Sequence, residues 1–304
     1  MFELDPPRQV QGDSLDTPAW RAAGCSLVGP SHHARGVGCD DAFAWARRDD
    51  WLVACVSDGA GSARFGAVGS DRAVRSISER IAERLPDALD SRCEQVVADA
   101  VDAAREQLRQ LASAWGAGLN DFHATLVGAI MKGRRALLFH IGDGAAAALR
   151  KDGASWADTA LSPPQNGEYI NETYFLTQER WRDTLRFTPV ESFDALLLMT
   201  DGVTPFALDR TRAAGAGAFL DPLLNTLDKL APDIAERALR NLLARADVRA
   251  ACDDDKTLLW VSNGSVETGS GGEGKPDVEM KEVALDVRFA AKRQRMARRG
   301  GRYL

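Results

Sequence analysis

An α+β fold, with sheets inside and helices outside, is what this sequence predicts, and three observations carry the prediction. Short apolar runs closed by Gly-Pro, Asp-Gly or Gly turns are clustered along the chain, as the strands of a layered sheet are. Two amphipathic runs stand side by side between the first strands and the next group. A last helical stretch precedes one closing strand, so the two element types are segregated and do not alternate.

The elements follow in order. AAGCSLVG (22–29) reads as a short buried strand ending in a Gly29-Pro30 turn. FAWARRDDWLVACVSDG (43–59) reads as two strands joined by a polar turn over 47–50. Its second half, WLVACV, is continuously apolar, as expected of a strand covered on both faces. Between Val68 and Leu85, the residues Val74, Ile77, Ile81 and Leu85 recur at spacings of three and four, the period of a helix with one buried face. Val97, Val101 and Leu108 repeat that pattern from about Glu94 to Trp115, and GAGLND (116–121) breaks it. Three strands are expected in HATLVGAIMKG, RRALLFHIGDG and AAAALRKDG, each closed by Gly or Asp-Gly. DALLLMTDG (194–202) is a further buried strand, Leu220 to Ala246 is largely helical, and KTLLWVSN (256–263) closes the sheet.

Composition narrows the function. With 45% hydrophobic and 27% charged residues, the chain is ordinary for a globular protein and neither collagen-like nor disordered. No apolar run approaches the roughly 18–20 residues of a membrane span. MFELDPPRQV lacks the basic start and apolar core of a secretory signal, so a cytoplasmic location is expected. The five cysteines, Cys25, Cys39, Cys55, Cys93 and Cys252, include no C-x-x-C pair and read as reduced thiols.

Charge divides the chain unevenly. Residues 264–304 hold nine Lys/Arg and six Asp/Glu, which leaves 29 basic and 38 acidic residues in the body. A body that acidic is a poor surface for nucleic acid, whose phosphates need Lys and Arg, but it suits divalent cations where the acids converge. The expected organisation is an arm over 1–21, one domain over 22–263, a Gly/Ser-rich linker over 264–277 and a part-helical basic tail over 278–304. A charge run such as Lys292, Arg293, Arg295, Arg298, Arg299 and Arg302 is first read as a solvated tail.

The acidic turns are the informative feature. Asp40-Asp41, Asp58-Gly59, Asp143-Gly144, Asp201-Gly202 and Asp253-Asp254-Asp255 stand in similar surroundings. Each alone is ordinary turn chemistry, because Asp bonds its own backbone and Gly accepts positive φ. Taken together, three of them end strongly apolar strands. Carboxylates gathered there would repel one another and lose hydration, at several kcal/mol each unless neutralised. Oxygen ligands without paired His or Cys favour Mg²⁺ or Mn²⁺ over zinc or copper, and two such ions would activate water and hold a phosphoryl group.

In these residues the chain resembles the metal-dependent serine/threonine protein phosphatases (type 2C), in a bacterial branch. GPSHH at Gly29, CDD at Cys39, DGAGSARFG at Asp58, IGDG at Ile141, GEYINETYFLT at Gly167, MTDGV at Met199 and DDKTLLW at Asp254 lie in the order of that family's motifs. The resemblance implies a four-layer αββα sandwich with the metal centre at one end. It implies that Asp58 bridges two ions and that the Gly59 carbonyl binds one of them. Asp201 and Asp254 would complete one site, Asp40 and Asp41 would serve the other directly or through water, and Asp143 would hold a third, weaker ion. Phosphoserine or phosphothreonine on a protein would be hydrolysed by direct attack of a metal-bound water, without a phosphoenzyme, opposite a serine/threonine kinase in signalling.

Two departures from the family pattern are visible. Position 40 is Asp where the branch has Gln. The place of the phosphate-cradling Arg of many relatives is Gly36, which leaves His32 or Arg35 to take that role. Two alternatives stand beside the protein phosphatase: a phosphatase of a small phosphorylated metabolite, since fold does not fix substrate, and a silent pseudophosphatase, for which Gly36 is the best support. His33 reads as a loop residue, and His123 and His140 as core or strand-face residues. In GEYINETYFLT, the structural reading is an edge strand and turn packed by Tyr169, Tyr174 and Phe175; the functional one is an entrance flap with Glu168 and Asn171 near a metal-bound water.

Overall fold

In a computed structural model, the chain is described over residues 20–165, 173–208 and 217–263. The arm, linker and basic tail expected from the sequence lie outside these residues. Ten strands and eight helices are found among them: β1 (Arg21–Leu27), α1 (Pro30–Arg35), β2 (Asp41–Arg48), β3 (Trp51–Asp58), α2 (Gly66–Arg84) and α3 (Arg92–Trp115) come first. β4 (Leu126–Lys132), β5 (Arg135–Ile141), β6 (Ala145–Asp152), β7 (Ser155–Ser162), α4 (Trp181–Thr184), β8 (Arg186–Val190) and β9 (Ala195–Met199) follow. The last are α5 (Thr204–Ala207), α6 (Gly217–Leu227), α7 (Pro232–Ala244), α8 (Ala246–Ala251) and β10 (Lys256–Ser262).

The strands form two five-stranded antiparallel sheets, ordered β1-β10-β9-β6-β7 and β2-β3-β4-β5-β8. Strand periodicity sorts each continuous apolar run into two faces. In β3, Trp51, Val53 and Cys55 face α2 and α3, while Leu52, Ala54 and Val56 enter the layer between the sheets. In β9, Leu197 and Met199 meet α6 and α7, while Leu196 and Leu198 face the other sheet. The result is the expected α+β sandwich of four layers, helix–sheet–sheet–helix, with three apolar cores. Val74, Ile77 and Ile81 of α2 are fully buried, as their spacing predicts.

Four differences from the sequence reading have local causes. The Gly29-Pro30 turn opens a six-residue helix, α1, with Pro30 at its first position and Gly36 at its left-handed C-cap. The strand β7 sits at a sheet edge with mostly exposed residues, so it carries little apolar signal. The strand β8 is another edge strand and holds Pro189, which is tolerated there because an edge N–H needs no ladder partner. The helical stretch from Leu220 breaks into α6, α7 and α8.

Candidate metal centre

The sheets deliver their acids to one end. Asp41 opens β2 and Asp58 closes β3, and the two are direct cross-strand partners, so their side chains share a face. Asp143 lies in the turn from β5 to β6, Asp201 follows β9, and Asp254 precedes β10. The β6–β9 register pairs Ala145 with Met199, and the β9–β10 register pairs Met199 with Leu258, which brings these three turns together.

One carboxylate oxygen from each of Asp58, Asp143 and Asp201 lies within 4.8 Å of the others. The Thr173 hydroxyl donates to Asp143 Oδ2 at 2.8 Å, while Asp143 Oδ1 is buried without a hydrogen-bond partner. Asp41 is buried and accepts from the Thr200 hydroxyl at 2.7 Å. That hydroxyl in turn accepts the Thr257 N–H at 2.9 Å, so its proton is directed at Asp41. The Asp58 N–H donates to Thr125 Oγ1 at 3.0 Å, and the Thr125 N–H donates to the Asp58 carbonyl at 2.9 Å.

Gly202 shows how closely the turns approach. A Cβ there would stand 1.8 Å from the Asp255 carbonyl oxygen, so any side chain would push the Asp201 turn away from the start of β10. Gly202→Ala is therefore expected to destabilise the protein by at least ~2 kcal/mol, measured as a lower urea midpoint with little change in slope.

Electrostatics follows from this packing. Burial raises the Asp58 carboxyl well above its usual range, and repulsion from Asp201, Asp41, Asp143 and Asp254 adds to the effect. Asp201 is raised in the same way, by burial and then by Asp143, Asp254 and Asp41. Burial lifts Asp41 to about 7 against the pull of its Thr200 bond. Burial also raises Asp40, Asp143 and Asp254. The buried Lys256 does not relieve the cluster directly: its ammonium donates to the Cys252 and Asp254 carbonyls at 2.8 and 2.7 Å. An all-oxygen donor set with an orphaned buried carboxylate oxygen fits a hard divalent cation such as Mg²⁺ or Mn²⁺.

The remaining expected site residues take definite places. The Gly59 N–H donates to the Asp40 carbonyl at 3.0 Å. Arg35 is exposed, and its charge, after that of His32, offsets part of the rise that burial imposes on the Asp40 carboxyl. His32, the other phosphate-binding candidate, is buried in α1, with Nδ1 2.9 Å from Asp255 Oδ2 and Nε2 3.9 Å from Asp40 Oδ2. Gly36 has φ of +68°, and its N–H caps α1 through the His33 carbonyl. A larger residue in that left-handed conformation would be strained.

Asp255 is the residue that sequence reasoning missed. It stands in the quoted Asp253-Asp254-Asp255 run, and the available signal was the third acid preceding a buried strand. Of the other histidines, His123 bonds Thr177 at 2.6 Å and stacks on Phe175, and His140 is fully buried against Ser162 and Arg186. The described end of GEYINETYFLT is packed: Leu176 is fully buried, and Tyr174 joins the core beneath the helices. Tyr169, Glu168 and Asn171 lie outside the described residues. All five cysteines are free thiols, and no described helix is long and apolar enough to cross a membrane.

Comparison with known proteins agrees with this architecture. The structure resembles serine/threonine phosphatase Stp1 from Staphylococcus aureus, with a TM-score of 0.56 at 14% identity over 79% of this chain and 94% of that one. It resembles serine-threonine phosphatase 2C from Toxoplasma gondii, with a TM-score of 0.57 at 15% identity over 81% and 95%. It also resembles RsbX, solved in complex with magnesium, with a TM-score of 0.51 at 13% identity over 82% and 97%. At such identities these likenesses show the fold. A search among curated proteins returns no significant match. The sequence profile of protein phosphatase 2C, however, matches residues 28–244, well over half of the chain. The chain belongs to the protein phosphatase 2C family.

Proposed function

We propose that this protein is a Mg²⁺- or Mn²⁺-dependent phosphatase that hydrolyses phosphoserine and phosphothreonine on protein substrates, working opposite a serine/threonine kinase in the cytoplasm. The convergence of Asp58, Asp143 and Asp201 carries the reading. Asp58, Asp201 and Asp254 would hold one ion, and Asp58 with Asp40 and Asp41 a second. The Gly59 carbonyl would serve one of these two ions, and Asp143 a third. Bound ions supply an activated water and neutralise charge on the phosphoryl oxygens. The chain's own residues fix that geometry. The cross-strand pairing of Asp41 with Asp58 sets one side, and the β9 and β10 turns set the other. The Thr200 hydroxyl keeps Asp41 oriented. Arg35, exposed at the rim beside Asp40, would meet the substrate phosphate, with His32 Nε2 behind it.

The test is hydrolysis of p-nitrophenyl phosphate and a phosphothreonine peptide with Mn²⁺, Mg²⁺ or EDTA. Turnover of both with metal, lost in EDTA, is expected. No turnover with any ion in folded protein would leave the pseudophosphatase. Turnover of the small ester alone would favour a small-metabolite substrate. Removal of residues 265–304 is expected to leave hydrolysis of the small substrate unchanged, because every proposed ligand lies before that segment; a loss would make the tail part of the catalytic body.

A further inference from the structure

Asp255 is 2% exposed and touches both halves of the acidic centre. Its Oδ1 accepts the Gly29 N–H at 2.6 Å, and its Oδ2 accepts the Asp40 N–H at 2.6 Å. His32 Nδ1 stands 2.9 Å from the same Oδ2. A carboxylate oxygen accepts, so the His32 proton on that side belongs to Nδ1. The backbone N–H of Asp255 donates to Asp254 Oδ1 at 3.0 Å. Asp40 is also fixed from its other side, since its carbonyl accepts the Gly59 N–H at 3.0 Å and the Ser70 hydroxyl. Its carboxylate meets His32 Nε2 at 3.9 Å.

Gly29 and His32 follow β1, the neighbour of β10, so their bonds to Asp255 stay on one side; the Asp40 N–H bond, and the approach of His32 Nε2 to the Asp40 carboxylate, cross between sheets. Asp255 leads into β10 of one sheet, and Asp40 leads into β2 of the other. Asp201 and Asp254 therefore ride on one sheet, and Asp40, Asp41 and Asp58 on the second. The spacing of the two sheets at this end sets the distance between the two groups. Two backbone N–H groups and one imidazole nitrogen converge here on one buried side chain.

We propose that Asp255, with His32, is a positioning pair that straps the two sheets together at the metal end and so sets the separation of the proposed ligands on either side. The proposal rests on the metal-centre reading above. Asp255 needs no contact with an ion or substrate for this role. The effect of its side chain passes through the Asp40 backbone and the His32 ring.

The experiment is calorimetric titration of the full metal-free chain with Mn²⁺, with electron paramagnetic resonance of the loaded protein, for wild type, Asp255→Asn, His32→Ala and His32→Asn. In Asp255→Asn, the amide nitrogen that replaces one carboxylate oxygen cannot accept, so at least one of the three donors loses its partner. A 10- to 100-fold weaker Mn²⁺ affinity is expected, as for other outer partners of metal ligands, with an altered Mn²⁺ spectrum. His32→Ala should weaken binding too, while His32→Asn, which places an amide N–H near the Nδ1 position, should recover most of it. Unchanged affinity and spectrum in Asp255→Asn, or a fall in its thermal midpoint alone, would overturn the strap. If Asp255→Asn fails to fold, the His32 pair decides: equal behaviour of His32→Ala and His32→Asn would overturn it as well. Failure of wild type to bind Mn²⁺ would instead refute the metal-centre reading itself.

Discussion

Asp58→Asn is expected to abolish turnover and leave the protein folded. The change keeps the shape of the side chain but removes one charge from the point where Asp41, Asp143 and Asp201 converge. If Asp58 holds two ions, both lose a ligand at once. Metal ions contribute several kcal/mol of transition-state stabilisation, so a fall in kcat on the order of 100- to 1000-fold is expected. The fold should tolerate the change well. Burial and four neighbouring carboxylates already disfavour a charge at this position, and an amide can donate to one of them. The metal-free variant should therefore unfold at the same temperature as wild type or higher, the usual trade between stability and a strained site. Near-normal kcat in Asp58→Asn would refute the bridging assignment, while loss of fold would refute the electrostatic argument.

The contrast between what the sequence shows and what it hides is physical. The long elements are legible because burial imposes a period on them: α2 and α3 repeat at three and four, and β3 and β9 are apolar on both faces because both faces are covered. The helix α1 has six residues, too few for periodicity, and only its Pro30 and Gly36 signal it. The edge strands β7 and β8 are half-exposed and lack a buried stripe. In the centre, acids that close apolar strands bring Asp58, Asp143 and Asp201 into view one turn at a time, and Asp254 comes into view through the DDKTLLW motif that leads into β10. Asp255 does not, because its importance lies in three donors from Gly29, His32 and Asp40, more than 200 positions away in the chain. The sequence marks His32 as a candidate, but its burial against Asp255 is hidden for the same reason. A histidine in a turn is usually exposed, and only the packing of α1 against the Asp253–Asp255 turn, where the Ser31 N–H donates to the Asp253 carbonyl at 3.0 Å, buries this one.

Without metal, the protein is expected to lose stability as pH rises from the ordinary carboxylate range near 3.8 toward about 7. The sign follows from proton counting. Asp41, Asp58 and Asp201 keep their protons in the folded state to higher pH than in the unfolded chain, so the folded state binds more protons across that window. Unfolding free energy then falls with pH. Exposed carboxylates that gain partners act the other way, as Asp90 does beside Arg92. The quantity to measure is therefore the pH slope of wild type minus that of Asp58→Asn. Divalent ions should reverse the trend, because they bind the deprotonated cluster and compete with its protons. At a hundred times Kd, one ion adds about 2.7 kcal/mol, or roughly 5–10 °C in Tm for a domain of this size. That gain should grow from pH 4 to pH 7, where an ordinary surface site would stay nearly flat. A metal-free Tm independent of pH in this range, together with a Mn²⁺ effect no larger than that of Asp58→Asn, would mean that the acids do not share a buried site. A falling Tm rescued by Mn²⁺ would show that one set of repelling carboxylates both weakens the empty fold and makes it a binding site.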